Sequence, residues 1–281
     1  AELADFRKDD IARRYGDEIA DRFRIVLAEA MPRVLGPFDP QLADLARTHL
    51  ETRGVEVREK CAVTGVTADA VTYQPSLPRG ATAEQMQKAA AQAKTEKVGA
   101  LVWAAGIGAR PVVKRLAQQL GQGENARGLK VDDRLQVLGA DGVFAIGDCA
   151  LSGNAPTAQV AAQQGKYVGR AIRDRSTDPF QYKHAGSLCC LGFGNAIAQL
   201  QPQHQAWRSL HSAANTKVVG EDQRAVTGAP AFALWRGMYF TQLLSPSTRW
   251  SVSADWIRTS LKGRDVNEPV LKRTMTPAES E

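Results

Sequence analysis

Helical and strand patterns alternate from the first residue to Gly106, and this alternation narrows the possible folds more than any other feature of the chain. Residues 1–15 set Leu3, Phe6, Ile11 and Tyr15 among charges, as a helix would. Phe23 to Ala28, in FRIVLAEA, reads as a buried strand that runs into Glu29. Asp39-Pro40 then supplies an N-cap and a first-turn proline. Leu42, Leu45, Ala46 and Leu50 line one face of the helix that follows, and Gly54 closes it. VEVREKCAVTGV and AVTY read as strands, and ALVWAAG as a further buried strand ending at glycine. Such an order predicts an α/β fold with a parallel sheet. Ligands of these sheets sit at the carboxyl ends of the strands.

Beyond that run, Arg110-Pro111 marks a domain crossing, and GLKVDDRLQV and GVFAI read as strands. QYKHAGSLCCLGFGNAIAQL alternates like a hairpin about Gly192 and Gly194, so its GFGNAI is a turn and not a nucleotide loop. Residues 75–97 and 201–228 read as surface insertions, the first partly helical and the second irregular. Two amphipathic helices end the chain. The expected divisions are residues 1–110, 111–180 and 181–281.

The net charge of +6 suits an anionic partner: nucleic acid, lipid headgroups or a nucleotide cofactor. Only 6% of residues are aromatic and no RNA-recognition or zinc-finger spacing occurs, so nucleic acid is the weakest of these. Cys61, Cys149, Cys189 and Cys190 include no C-x-x-C pair, which points to free thiols in a reducing compartment and to no metal site. No apolar run is long enough to span a bilayer. The chain opens without Met, inside a helical pattern, and reads as part of something longer.

Glu29 stands where a dinucleotide-binding unit places the acid that accepts hydrogen bonds from the adenosine ribose. Its carboxylate would repel a 2′-phosphate and so favour NADH over NADPH. Alone it would read as a solvated strand-end residue, because no G-x-G-x-x-G accompanies it; that loop is expected immediately before Ala1. Ala105 and Gly106 in AAGIGARP would let backbone approach a cofactor closely. Gly147-Asp148 follows an apolar run, and a carboxylate there suits a polyol such as the ribityl chain of FAD. Pro156 would open the next helix, whose positive end near Thr157 and Ala158 favours the negative charge of reduced flavin. Gln159 and Gln163 share one face of that helix, and their amides suit the carbonyl oxygens of a quinone.

LVWAAGIGARP, GLKVDDRLQVLGADGVFAIGDCA and PTAQVAAQQGKY resemble the type II, or alternative, NADH:quinone oxidoreductases of the two-dinucleotide-domain flavoprotein superfamily. IVLAEAMPRVLGPFDPQLADLARTHLETRGVEV is similar to their NADH domain after its glycine loop, and FALWRGMYFTQLLSPSTRWSVSADWIRTSLKGRDV to their membrane-binding helices. The resemblance implies a Rossmann-like flavoprotein fold, incomplete at the N-terminus, with a C-terminal hairpin and amphipathic membrane-binding helices. It implies that Glu29 binds the NADH ribose and Asp148 the FAD ribityl chain. Ala158 and Gln159 would lie against the isoalloxazine, with Gln159 and Gln163 lining the quinone site. The family passes hydride from NADH to flavin and two electrons to quinone, rotenone-insensitively and without pumping protons. A monotopic place on the mitochondrial inner membrane (the plasma membrane in a prokaryote) and a homodimer are implied as well. Neither of the family's glycine loops occurs in the chain, so the 281 residues alone are expected to be inactive and not to hold FAD tightly.

Two other readings compete. A pyridine nucleotide–disulfide reductase needs a C-x-x-x-x-C pair, and none is present. A flavin-free membrane-associated module would lack visible flavin bands. For the tail, Phe232, Trp235, Tyr239 and Leu243 recur at helical spacing. Trp250, Ala254, Ile257 and Leu261 form a stripe flanked by Arg249, Arg258, Lys262 and Arg264. Tryptophans with cationic flanks suit a helix in the membrane interface.

Overall fold

The structure is a computed structural model that describes residues 1–78, 80–123, 126–192, 194–200, 216–219, 223–243 and 245–263. Residues 2–15 form α1, wound as a π-helix over Phe6–Ile11. The wider turn changes which side faces inward. Ala4, Asp5 and Asp10 are buried, whereas Leu3 and Tyr15, expected on the apolar face, are exposed. α2 (Asp17–Asp21) leads to β1 (Ile25–Ala28), of which only Ile25 is buried. α3 (Pro40–Thr52) begins as its sequence dictates: the Asp39 carboxylate accepts from the Gln41 N–H at 2.8 Å, and Pro40 fills a position that needs no N–H. β2 (Val55–Arg58) then pairs in parallel with β1, Ile25 opposite Val55. Ala4, Ile25, Leu50 and Val55 close the core of this β1–α3–β2 crossover.

β3 (Cys61–Val66), β4 (Ala70–Pro75) and β5 (Lys94–Lys97) make an antiparallel meander. α4 (Ala83–Ala91) precedes β5 and starts with a Thr82–Gln85 capping box. Arg58 on β2 donates to both carboxylate oxygens of Glu96 on β5 at 3.2 Å. Residues 83–97 are therefore largely regular structure tied to the sheets.

The strand expected over ALVWAAG does not form. Val102 is 70% and Trp103 60% exposed, and no described strand pairs with them. An apolar run becomes a strand only where a neighbour satisfies its backbone groups; without one, those groups turn to water.

By internal contacts the chain divides into two compact units, Leu101–His184 and the remainder. In Leu101–His184, α5 (Pro111–Gln119), β6 (Leu129–Lys130) and β7 (Ala150–Leu151) contribute to a core of Ala117, Leu129, Val137, Ala145 and Ala150, and α6 (Ala158–Asp174) follows in the chain. GLKVDDRLQV and GVFAI, expected as full strands, yield only β6 and the bridges Val131–Val137 and Gln136–Phe144. The cause is local: the Asp132 carboxylate accepts from the Arg134 and Gln136 N–H groups and turns the chain back.

In the other unit, β8 (Gly186–Gly192) and β9 (Asn195–Leu200) form the expected hairpin. β10 (Thr216–Val219) and β11 (Gln223–Gly228) extend it into an antiparallel sheet of order β10-β11-β9-β8. Part of the stretch expected to be irregular is thus sheet. Side chains alternate across β9. Ala196, Ala198 and Leu200 meet α7 (Ala229–Gln242) through Ala231, Phe232 and Trp235, while Ile197 meets Leu42 and Ala46 of α3. α8 (Pro246–Lys262) follows α7.

Candidate functional site

A constrained corner of Leu101–His184 lies around Gly147 and Asp148. After the buried Ala145, residues Gly147–Cys149 make one 3-10 turn and not the end of a regular strand. Gly147 has φ +66°, and a Cβ on it would lie 3.2 Å from the Ala161 Cβ of α6. Glycine here and alanine there let the turn approach the helix. Gln164 fixes that approach. It is fully buried; its Oε1 accepts from the Gly147 N–H at 2.7 Å and its Nε2 donates to Ser152 Oγ at 2.9 Å. Asp148 lies between these two tethers, exposed to solvent.

α6 begins beyond Pro156, at Ala158, because Thr157 is the N-cap: its Oγ1 accepts from the Val160 N–H at 3.3 Å. The first turn of this 17-residue helix is positively polarised and carries exposed Ala158 and half-buried Gln159. Gln159 and Gln163 lie on one face, as their spacing requires.

An extended strap, residues 178–184, runs along α6. The Tyr167 hydroxyl donates to the Asp178 carbonyl, and Phe180 packs edge-on against Tyr167 with 5.4 Å between centroids. The Tyr182 hydroxyl donates to Gln159 Oε1 at 2.7 Å and lies 3.0 Å from His184 Nδ1. Gln163 grips one residue twice: Oε1 accepts from the Lys183 N–H at 3.0 Å and Nε2 donates to the Lys183 carbonyl at 2.8 Å. Burial pushes the Tyr182 phenol up from its ordinary pKa.

Gly147, Asp148, Ala158, Gln159 and Gln163 are thus gathered about the turn and the start of α6. Glu29 belongs to the other unit. There its backbone continues the β1 ladder, donating to the Arg58 carbonyl and accepting from the Cys61 N–H, both at 2.8 Å. Its Oε1 accepts from the Met31 N–H at 2.7 Å. Ala105 and Gly106 lie in the open, exposed stretch at the start of Leu101–His184, and a Cβ on Gly106 would meet nothing within 4 Å.

Sequence reasoning missed Gln164, Tyr182 and Lys183. Gln164 had a signal: Val160, Gln164 and Val168 recur every four residues and all are buried, so a polar residue sits inside an apolar stripe. Tyr182 had none.

The tail divides its work. Phe232, Trp235 and Tyr239 stack along α7 at 5.9 and 5.7 Å, and the Arg236 guanidinium lies between the rings of Phe232 and Trp256 at 4.7 and 4.8 Å. An open cleft of about 500 Å³ between α7 and α8 is lined by Trp235, Tyr239, Ser251, Val252, Asp255 and Trp256. Because α7 covers the sheet, the exposed stripe belongs to α8: Trp250, Ala254, Ile257 and Leu261, with Trp250 79% exposed. Arg258 pairs with Asp255, and Arg264 lies outside the described residues. No described helix is long and apolar enough to cross a membrane.

Residues 3–165 match the family model described as pyridine nucleotide-disulphide oxidoreductase, and residues 184–265 match the NDH2 C-terminal domain. A probable mitochondrial NADH-ubiquinone oxidoreductase of Schizosaccharomyces pombe is 33% identical over 95% of this chain and 50% of its own length. The external alternative NADH-ubiquinone oxidoreductase of Yarrowia lipolytica, also mitochondrial, is 27% identical over the same shares. The NDH2 of Plasmodium falciparum, solved in complex with NADH, has a similar fold: TM-score 0.74 and 19% identity, over 94% of this chain and 63% of that one. The chain spans about half the length of the curated relatives it matches.

Proposed function

The chain belongs to the pyridine nucleotide-disulphide oxidoreductase family, among its type II NADH dehydrogenases, and from that premise we propose that it forms the C-terminal part of an FAD-dependent NADH:quinone oxidoreductase. The observation that carries the proposal is the corner at Gly147–Asp148 and the start of α6, followed by a segment that matches the NDH2 C-terminal domain.

The residues at that corner fit part of a flavin. Asp148 offers an exposed carboxylate, an acceptor for ribityl hydroxyls. The first turn of α6 offers the positive end of a long helix to the electron-rich side of the ring. Nothing in the 281 residues supplies a G-x-G-x-x-G cradle for the pyrophosphate. Bound FAD would supply the redox chemistry, taking two electrons from NADH and passing them to quinone. The protein's share is placement. Gln164 holds the turn so that Asp148 meets the polyol, and Ala158, with a single methyl group, leaves room for a ring to approach the helix end. Gln159 presents an amide to a quinone carbonyl, and Glu29 selects the ribose of NADH. The α8 stripe rests on the lipid surface, peripherally on the mitochondrial inner membrane, where quinone is dissolved; two copies pair as a homodimer.

Flavin content tests the assignment. In the flavin-loaded enzyme containing this chain, Asp148→Ala is expected to lose most of its bound FAD, read as the ratio of visible to protein absorbance. A variant that stays fully yellow would refute the role given to Asp148.

A further inference from the structure

The loop after β1 carries a cation that bears on the choice of nucleotide. Glu29 follows β1 directly, and its Oε1 accepts from the Met31 N–H at 2.7 Å. The Met31 carbonyl accepts from the Lys60 N–H at 3.0 Å. The N–H of buried Val34 donates to Glu59 Oε1 at 2.8 Å. Residues 31 and 34 are thus both fastened to the turn between β2 and β3, and Arg33 stands between them. Its backbone is held at both sides, so only its side chain is left to choose a partner. That partner is on α3: Arg33 Nε lies 3.5 Å from Asp44 Oδ1.

NADPH differs from NADH by a phosphate on the adenosine 2′-oxygen. In dinucleotide-binding units an acid at the strand end takes the ribose hydroxyls, and an arginine nearby accommodates the 2′-phosphate. This loop holds both residue types, Glu29 and, four residues on, Arg33. A guanidinium is suited to phosphate because its N–H groups fork onto two oxygens. We infer that Asp44 is a specificity-determining residue: by pairing with Arg33 it keeps the guanidinium on α3 and away from a 2′-phosphate at Glu29. The inference rests on the reading of Glu29 as the ribose acid. NADPH is then disfavoured twice, by repulsion from Glu29 and by the engagement of Arg33. Both side chains of the pair are largely exposed, and such pairs are worth about fivefold at most in an equilibrium. Asp44 therefore tunes the preference that Glu29 sets.

Calorimetry on the oxidised, flavin-loaded enzyme containing this chain tests it, with NAD+ and NADP+ as probes that bind without turnover. Asp44→Asn is expected to tighten NADP+ about threefold to fivefold and to leave NAD+ as it was. Adding Arg33→Gln to Asp44→Asn is expected to abolish that gain. The kcat/KM for NADPH should move in the same direction as NADP+ binding. An NADP+ affinity unmoved by Asp44→Asn overturns the inference. A gain that survives Arg33→Gln overturns it too, because Asp44 would then act by its own charge and not through Arg33. Glu29→Gln, measured alongside, separates this from the reading beneath it. If Glu29→Gln leaves the NAD+/NADP+ ratio unchanged while the gain through Arg33 appears, the restraint on Arg33 stands and the ribose role of Glu29 falls.

Discussion

Replacing Gln164 with leucine removes a side chain that ties both flanks of Asp148 to α6. The leucine fills most of the space but makes neither hydrogen bond. Two bonds of about 1 kcal/mol each are lost, from Gly147 N–H and to Ser152 Oγ. The Gly147 N–H, left without its acceptor, adds about 1–3 kcal/mol of unrepaid desolvation. The apolar leucine offsets about 1 kcal/mol of this by its own burial. The net loss is about 2–4 kcal/mol, a large fraction of a small unit's stability. Urea unfolding of the chain measures it: with a slope of about 1–3 kcal/mol/M, the midpoint of the transition that reports Leu101–His184 falls by roughly 1–2 M at unchanged slope. Ser152→Ala removes one of the two bonds and costs about 1 kcal/mol; combined with Gln164→Leu it adds almost nothing, because the shared bond is already gone. A midpoint shift below about 0.3 M for Gln164→Leu, or fully additive costs, would refute the tether.

Two further outcomes follow from the proposed sites. Glu29→Gln in the flavin-loaded enzyme is expected to reduce the preference for NADH over NADPH about tenfold, the worth of a hydrogen bond to a charged group, read as the ratio of kcat/KM values; an unchanged ratio would remove Glu29 from the cofactor site. Replacing Trp250, Ile257 and Leu261 together by serine is expected to weaken sedimentation with anionic vesicles about tenfold or more without altering the circular dichroism, since these side chains are exposed. The residual binding is expected to fall with salt, as attraction of basic residues to headgroups does. A triple variant that pellets like its parent would show that α8 is not the anchor.

Where local chemistry decides, the sequence was readable. Asp39-Pro40 announces α3, and Gly192 and Gly194 announce the β8–β9 hairpin. The α/β class follows from the alternation that produces β1–α3–β2. What failed depends on partners distant in sequence. ALVWAAG has the composition of a buried strand but no neighbouring described strand to pair with. Phe232 and Trp235 looked like part of a membrane-facing stripe, yet they pack on the sheet that β11 extends, and β11 lay in a stretch that seemed irregular. At the site, spacing alone put Gln159 and Gln163 on one face. It did not reveal that the strap bonds both amides, because Tyr182 and Lys183 lie about twenty residues away and carry no periodic mark.

If the start of α6 serves quinone and not NADH, as proposed, the two half-reactions must respond differently to Gln159→Leu, and stopped-flow separates them. In the flavin-loaded enzyme containing this chain, bleaching of the flavin band by NADH and its return on mixing with quinone are recorded separately. Bleaching is expected to proceed at the parent rate while reoxidation slows about a hundredfold, the cost of removing a donor aimed at developing negative charge. Slowed bleaching with reoxidation at the parent rate would contradict the proposal.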